Sequence, residues 1–357
     1  MPNIPPNYWL SVGITFFLAF VLSVALTIVA KRLAPHLGIV AKPDARRKHS
    51  GVIPKLGALP LWGAFMLTIL VAQTLPVERA DPNESIRLLG LIAGGTFIFV
   101  MGLLDDKLDL SPQLQLVGQL AAALIGIACL IFIERFNNPI TGETLGPFPF
   151  IITLIISLFW LVLMMNTVNF LDGVDGLAAG VNLIAAVMLF IHTLRENQLS
   201  VSLLPMALIG VMLGFLIFNW HPAKIFMGSG AVYLGYVIGA LSIIGGAKMA
   251  TILLVMGLPL LDLAWQASRR LLEGKNPMRG DRGHLHFRVM DSGLLSPRAF
   301  TLIYYAFCAA FGLLALTTTS RQFKLIGLIV LSLIALSGFV LVARRARLPR
   351  SEESRQA

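Results

Sequence analysis

Apolar runs long enough to cross a lipid bilayer recur along the whole chain, and no other feature constrains the fold as strongly. A bilayer core about 30 Å thick requires about 20 apolar residues in helical conformation. Of the 357 residues, 57% are hydrophobic and only 13% are charged. The sequence therefore predicts an all-α, polytopic membrane protein with eleven spans, at residues 8–30, 60–76, 88–104, 115–133, 148–165, 174–194, 203–219, 229–246, 249–268, 300–318 and 323–343.

The first run is too long, and lacks the basic start, to be a cleaved signal peptide, so we interpret it as a span. Cys129 and Cys308 both lie inside predicted spans and form no metal-binding or disulfide pattern. Buried apolar packing is expected for both. We treat residues 1–343 as one transmembrane domain and residues 344–357 as a basic, disordered cytoplasmic tail.

The positive charges alternate between the loops and predict the orientation. Of the 28 Lys and Arg residues, 21 fall in one alternating set of segments: 31–59, 105–114, 166–173, 220–228, 269–299 and 344–357. Because Lys and Arg are retained on the cytoplasmic side of short loops, the N-terminus is predicted outside and the C-terminus inside. The net charge of +10 thus reflects topology and anionic lipid rather than a nucleic-acid partner.

A pair of carboxylates ends the third predicted span, in "MGLLDDKLDLSP". Asp105 and Asp106 are adjacent and repel each other, so they either share a proton or hold a cation between them. The alternative is a solvated loop in which Asp109 or Ser111 begins the next helix before Pro112.

Four oxygen-bearing residues recur in "NTVNFLDGVDGLAAG", namely Asn166, Asn169, Asp172 and Asp175. At a spacing of three they would share one face of a helical turn. Such a row suits a hard cation such as Mg²⁺, with Mn²⁺ as a substitute, and ionisable groups at membrane depth are usually functional. The alternative is an Asx-rich turn that caps the sixth span.

Two further segments carry polar residues on the same predicted side. In "FNWHPAKIFMGSGAVYLG", Asn219 could bond a base edge, Phe226 could stack on a flat ring, and the glycine turn could hold phosphate. The loop "RRLLEGKNPMRGDRGHLHFRV" contains Arg282, His284 and His286. Its guanidinium groups suit a diphosphate. Two histidines could also ligate zinc, although no third ligand is evident, and a plain topology loop remains the alternative.

Taken together, these segments resemble the polyprenyl-phosphate N-acetylhexosamine-1-phosphate transferases of glycosyltransferase family 4. The resemblance covers about residues 30 to 300 and is closer to the GlcNAc-1-phosphate branch than to the related pentapeptide translocase. It is carried by five motifs in the same order: "DARRKHSGVIPKLGALP", "DDKLDLSP", "NTVNFLDGVDGLAAG", "NWHPAKIFMG" and "DRGHLHFRV".

The resemblance implies transfer of a sugar-1-phosphate from a UDP-N-acetylamino sugar to polyprenyl phosphate, with release of UMP, in a bacterial plasma membrane. A homodimer and a Mg²⁺ cofactor would accompany it. The site would face the cytoplasm. By position, Asp105 and Asp106 would handle the acceptor phosphate, with Asp105 as a base, and Asn169 and Asp172 would lie at the metal. The uridine would meet Asp175, Asn219 and Phe226, and phosphates or sugar would be held by Lys48 or His49 with His284 and His286.

The sequence departs from the family pattern at two places. In the family an Asp that ligates the metal follows F-M-G, whereas here Gly228 runs directly into Ser229. A serine hydroxyl is a poor replacement for a carboxylate at a hard divalent ion, so an impaired enzyme is expected. The third histidine of the family's H-x-H-H motif is Phe287 here, which is the more tolerable change.

Two other classes of function compete with the transferase. A transporter or lipid-carrier binder would also place acids within the membrane, and the missing ligand favours it. Transporters of this size often contain two related halves, and we find no internal repeat. A purely structural membrane protein would need none of the acid clusters.

Overall fold

We describe a computed structural model of the chain over residues 4–41, 52–138, 141–246, 249–272, 274, 295–318 and 321–345. Twelve helices make up this part. They are α1 (Pro6–Leu37), α2 (Ala58–Ala72), α3 (Glu84–Leu108), α4 (Pro112–Ala128), α5 (Phe150–Leu171), α6 (Leu177–Arg195), α7 (Leu199–Asn219), α8 (Gly230–Ile244), α9 (Met249–Val255), α10 (Gly257–Leu272), α11 (Pro297–Thr317) and α12 (Arg321–Arg345).

Ten of the eleven predicted spans each overlap one helix, and the ninth overlaps α9 and α10, which confirms the α-helical membrane fold. Within the described residues, six helices are long and apolar enough to cross a bilayer, namely α1, α3, α5, α6, α7 and α11. The helices α9 and α10 would together form a seventh, and α2, α4, α8 and residues 325–334 are shorter apolar segments. The number of eleven spans stays a prediction.

The ninth predicted span is not one straight helix. It is divided into α9 and α10, which meet at Met256 with a bend of 74°. The local reason is Pro259, which has no amide hydrogen and whose ring clashes with the carbonyl four residues earlier, at Val255. Hydropathy averages over such a bend, so the sequence reading missed it.

The acids of the site lie closer to the helices than the span boundaries predicted. Helix α3 continues to Leu108, so that Asp105 and Asp106 belong to its last turn. Ser111 begins α4, and its side chain accepts a hydrogen bond from the Leu114 amide at 3.4 Å. The helix-start reading of Ser111 is therefore correct, and it coexists with a separate role for the acid pair.

Small residues allow the helices to pack closely. A Cβ atom added to Gly210 on α7 would lie 2.6 Å from the carbonyl oxygen of Phe16 on α1. Ser23 on α1 donates to the Val211 carbonyl at 2.8 Å. Such small and polar contacts are typical of helix pairs in membranes, where the lipid removes the hydrophobic drive for association.

Two short antiparallel hairpins complete the described fold. One pairs β1 (Val40–Ala41) with β2 (Ile53–Pro54), and the other pairs β3 (Phe136–Asn137) with β4 (Thr144–Leu145). The first hairpin matters for the site, because it ties the start of α2 to the C-terminal end of α1. Lys55 follows it directly and donates its amide hydrogen to the Ile39 carbonyl at 3.0 Å.

Candidate functional site

The predicted site residues that the structure describes lie at one end of the helix bundle. There α3, α5 and α7 end, while α2, α6 and α8 begin. The connection between α7 and α8, residues 220–229, runs across this end and contacts two clusters of polar side chains. We call the cluster around Asp106 the acid cluster and the cluster around Asp175 the turn cluster.

In the acid cluster, the Asp106 carboxylate is enclosed, with only 1% of the side chain exposed. Its Oδ1 atom lies 2.7 Å from Lys55 Nζ. Its Oδ2 atom accepts hydrogen bonds from the Ser229 amide at 3.0 Å and from Ser229 Oγ at 2.7 Å. A buried carboxylate is stable only when charge and hydrogen bonds compensate for lost hydration, and these three contacts supply both.

Close backbone approach at Gly228 makes the acid cluster possible. Gly228 has φ +60°, and a Cβ atom there would lie 2.8 Å from Asp106 Oδ2 and 2.7 Å from the Lys55 carbonyl oxygen. Glycine adopts positive φ without steric cost and leaves this space free. On the facing helix, a Cβ atom at Gly102 would lie 2.6 Å from Ser229 Oγ. The turn after Met227 is thus enclosed between α3 and the chain before α2.

Asp105 points to a different set of donors. Its Oδ1 atom accepts from the Leu110 amide at 3.0 Å and from Gln115 Nε2 at 2.9 Å. Gln115 also donates to the Leu110 carbonyl at 3.0 Å. The two adjacent carboxylates therefore have different partners, since Asp106 meets a cation and Asp105 meets neutral amides.

In the turn cluster, Asp175 is held by the connection between α7 and α8. Its Oδ2 atom lies 2.7 Å from His221 Nδ1 and accepts from the Ala223 amide at 3.0 Å. Arg298, at the start of α11, donates from Nε to the His221 carbonyl at 3.1 Å. These contacts fix the acid of the second D-G pair against a neighbouring segment that lies 46 residues further along the chain.

Asn219 joins the two sides of the turn cluster. Its side chain is buried at 2% exposure. Oδ1 accepts from the Gly176 amide at 3.2 Å, and Nδ2 donates to the Ile225 carbonyl at 3.0 Å. The Tyr305 hydroxyl on α11 donates to the Gly176 carbonyl. Asn219 thus serves local architecture here, because both ends of its amide are used within the protein.

The expected row of four oxygen ligands on one helical face is wrong in this structure. Helix α5 ends at Leu171, Asp172 is its C-terminal cap, and Asp175 lies beyond it in the turn. Asn166 donates to Gln119 Oε1 at 2.7 Å and to the Val162 carbonyl at 2.8 Å, while Asn169 is exposed. Gly176, with φ 76°, begins α6, so Asp175 lies in the turn between the two helices and contacts His221 instead.

Of the remaining predicted site residues, the structure describes one, and five lie outside the described part of the chain. Phe226 is half-buried, and its backbone bonds to Pro54 and Gly57, which links the connection to the chain before α2. Five residues lie outside the described part of the chain: Lys48, His49, Arg282, His284 and His286.

The described donors do not fit a divalent ion at the acid cluster. Both Asp106 oxygens are engaged by Lys55 and Ser229, and Gly228 leads straight into Ser229 without the family carboxylate. Within the described ranges, no group of three His, Cys, Asp or Glu side chains is placed to hold a metal. Hard divalent ions require several oxygen ligands, mostly anionic, so this set falls short.

Sequence reasoning missed several residues that the structure places in these clusters. Lys55 lay in the motif "DARRKHSGVIPKLGALP" but received no role of its own, and Gln115 and Gln119 lay in an apolar span. His221 and Tyr305 come from segments remote from Asp175 and Gly176 in sequence. The one available signal was Lys55 in "IPKLG", a cation beside a glycine turn at a predicted membrane surface.

Comparison with known proteins gives one consistent family. Residues 88–246 match the family described as glycosyl transferase family 4. The chain is 30% identical over 330 residues to a probable undecaprenyl-phosphate N-acetylglucosaminyl 1-phosphate transferase of Bacillus subtilis, covering 90% of this chain and 88% of that protein.

Two further relatives agree. A decaprenyl-phosphate N-acetylglucosaminephosphotransferase of Mycolicibacterium smegmatis is 32% identical over 76% of this chain and 73% of its own length. An undecaprenyl-phosphate alpha-N-acetylglucosaminyl 1-phosphate transferase of Yersinia pestis is 29% identical over 80% and 79%. The chain belongs to glycosyl transferase family 4, among the polyprenyl-phosphate N-acetylglucosaminyl-1-phosphate transferases.

Proposed function

We propose that this protein transfers GlcNAc-1-phosphate from UDP-GlcNAc to polyprenyl phosphate and releases UMP. The observation that carries the proposal is the meeting of Asp106 and Ser229 at the end of a membrane helix bundle, beside Asp105. This contact brings the segment of Asp105 and Asp106 next to the turn at Gly228, which supports a single site that uses both motifs. The first membrane step of a cell-envelope glycan is the setting that this reaction implies.

The reaction forms one bond and breaks one. An oxygen of polyprenyl phosphate attacks the β-phosphorus of the nucleotide sugar, and the bridging oxygen between the two phosphates leaves with UMP. Phosphoryl transfer depends mainly on positioning and charge neutralisation. Asp105, held by Leu110 and Gln115, is the proposed acceptor for a proton of the lipid phosphate. Lys55, whose Nζ atom lies 2.7 Å from Asp106 Oδ1, contributes positive charge at the site.

The two substrates need different surroundings, and the described structure offers both. An open cleft of about 330 Å³ lies between α4, α5 and α10, and apolar side chains form its wall apart from Asn166. It suits a prenyl chain that lies along the membrane. The turn cluster, with Asp175 and Asn219, is the proposed uridine side, together with the ring of Phe226.

The remaining family features stay proposals. Mg²⁺ is the expected cofactor, with Asn169 and Asp172 as its remaining ligands, and the poor donor set predicts weak binding. We also propose eleven spans with the N-terminus outside, a site on the cytoplasmic side of a bacterial plasma membrane, one transmembrane domain over residues 1–343 and a homodimer.

The test is UMP release from UDP-GlcNAc, with undecaprenyl phosphate and Mg²⁺ in detergent. Release by the native chain supports the proposal. Release only after insertion of an Asp between Gly228 and Ser229 would identify an impaired member of the same family. No release from either protein, with UDP-MurNAc-pentapeptide also inert, would exclude the transferase function.

A second function is favoured by one observation, the saturation of Asp106 by Lys55 and Ser229. A protein in this state could bind the nucleotide sugar or the lipid carrier without turning either over. Tight binding of UDP-GlcNAc without UMP release, in the chain that carries the inserted Asp, would establish this alternative.

A further inference from the structure

The acid cluster differs from a metal site in its charge balance. Asp106 contributes one negative charge, and Lys55 Nζ contributes one positive charge at 2.7 Å. Ser229 adds two neutral hydrogen bonds to the other carboxylate oxygen. The pair of Asp106 and Lys55 is therefore neutral by itself, and the adjacent Asp105 directs its Oδ1 atom away from it, to Leu110 and Gln115.

Backbone hydrogen bonds on both sides of Lys55 fix the place from which its side chain starts. Its amide bonds to Ile39, and the two residues after it lead to Gly57, whose amide bonds to the Phe226 carbonyl at 3.1 Å. Its side chain is 23% exposed, so most of it is covered by the surrounding protein.

A divalent cation that used Asp106 would have to compete with this ammonium group. Its approach would bring two positive charges next to a third, and at short range such repulsion is strong in a partly buried site. A second carboxylate that contacted the ion would offset the repulsion. Asp105 directs its Oδ1 atom to Leu110 and Gln115 instead, and Gly228 is followed by the neutral Ser229. The ion pair and the missing acid thus both lower the affinity of the acid cluster for a divalent cation.

We infer that Lys55 is the built-in counter-ion of Asp106 and keeps the affinity of this site for divalent cations low. Lys55 is then a positioning residue: it acts through Asp106 by fixing the orientation and the charge of that carboxylate. This inference concerns the same site as the proposed function, but it rests on the ion pair and not on turnover.

The test is the binding of Mn²⁺ to the purified full-length chain in detergent, measured from the electron paramagnetic resonance signal of free Mn²⁺. Lys55→Gln should lower the Kd for Mn²⁺ about tenfold or more, because it removes the competing charge. Lys55→Arg should keep the native Kd. The matched control is Lys107→Gln, which removes the same charge from an exposed residue next to Asp106.

The double variant Lys55→Gln with Asp106→Asn should lose the gain, because the carboxylate is then absent. An unchanged or weaker Kd in Lys55→Gln would overturn the inference, and so would a gain that persists in the double variant or appears equally in Lys107→Gln. If Lys55→Gln does not fold, Lys55→Met retains a similar stem and answers the same question.

The outcome is separable from that of the proposed function. Tighter Mn²⁺ binding in Lys55→Gln, in a protein that never releases UMP, would keep the inference and reject the transferase. UMP release by the native chain, with an unchanged Kd for Mn²⁺ in Lys55→Gln, would support the transferase and reject the inference.

Discussion

At the scale of single residues, Asp106 is the side chain on which the contacts of the acid cluster converge. Replacement by Asn keeps the shape and removes the charge that Lys55 faces at 2.7 Å. We expect UMP release to fall by a factor on the order of 10²–10³, the size typical for loss of an electrostatic group at a reacting phosphate or carbonyl. The measurement is made in whichever background, native or with the inserted Asp, shows release.

Asp109→Asn is the matched control for this change. Asp109 ends the same helix, is exposed, and has φ 54°, a conformation that Asn also adopts readily. We expect its activity to stay near that of the parent. Equal losses in the two variants would indicate a general effect of helix-end charge and not a role for Asp106.

A second prediction at this scale concerns Asn219, whose amide uses both of its ends within the turn cluster. Asn219→Asp replaces the donor to Ile225 by an oxygen, which then faces a carbonyl oxygen in a buried place. We expect a cost of about 1–3 kcal/mol, seen as a lower thermal midpoint in detergent. Asn197→Asp, at an exposed position with φ 56°, should leave the midpoint unchanged.

A midpoint that is unaltered in Asn219→Asp would show that the contact from Asn219 Nδ2 to the Ile225 carbonyl adds nothing to stability. The same variant also separates architecture from ligand binding. A fall in affinity for UDP-GlcNAc without a fall in the midpoint would indicate that Asn219 meets the nucleotide directly, as the family resemblance implies.

Residue patterns predicted which segments carry chemistry, but not which side chains meet. The motifs singled out Asp106, Asp175 and Asn219, and these residues lie at one end of the bundle. The partners of the two acids are 51 and 46 residues away, at Lys55 and His221, and local spacing contains no information on such pairs. The mistaken four-residue row shows the same limit, because it assumed that α5 continued through a glycine turn.

At the scale of the helices, glycines at the contacts of α3, α4 and α8 lead to another prediction. The Tyr236 hydroxyl on α8 donates to the Gly90 carbonyl at 2.8 Å, and a Cβ atom at Gly94 would overlap that hydroxyl. Gly94→Ala should therefore move Tyr236 and cost about 1–3 kcal/mol through overpacking. Thermal unfolding in detergent measures the effect.

Gly13→Ala is the control for this helix contact. Gly13 lies inside α1, and a Cβ atom there meets nothing within 4 Å. Alanine should stabilise the helix by about 0.5–1 kcal/mol, because it loses less backbone freedom on folding. The two substitutions are chemically identical, so opposite signs would assign the loss at Gly94 to packing, whereas a loss in both would refute that assignment.

Helix positions were predictable because a bilayer demands continuous apolar runs, whereas helix ends and bends depend on contacts. Every predicted span falls on helical residues, but α3 and α5 each extend past their predicted ends by several residues. The bend at Met256 escaped hydropathy because both of its arms are apolar enough to count as one span. Pro259 was visible in the sequence, yet proline alone does not distinguish a kinked span from a broken one.

At the scale of the whole molecule, the charge asymmetry makes a prediction about orientation. In a background where Cys129 and Cys308 are replaced by alanine, a single cysteine at Lys107 should react with a membrane-impermeant maleimide only in inverted vesicles. A single cysteine at Asn197 should react only in right-side-out cells. Both side chains are exposed, so reactivity reports the side of the membrane and not burial.

Cysteines at residues 106 and 172 extend this experiment to the site. Reaction of both from the same side, after partial unfolding if burial prevents labelling, is the expected result. Reaction from opposite sides would separate the acid pair from the D-G-V-D-G turn and would contradict a single catalytic pocket. The overall charge distribution was readable from the sequence, because it depends on counting residues and not on their contacts.

The connection between α7 and α8 has a consequence for how two ligands would sense each other. His221 near its start is bound to Asp175, and Ser229 at its end is bound to Asp106, with Asn219 bonded back to Ile225 between them. The ten residues of this connection thus have one hydrogen-bonded contact in each cluster. We expect a nucleotide that displaces the contact between His221 and Asp175 to change the contact between Ser229 and Asp106. The affinities for the sugar donor and the lipid acceptor should then be thermodynamically linked, so that each ligand changes the affinity for the other by the same factor.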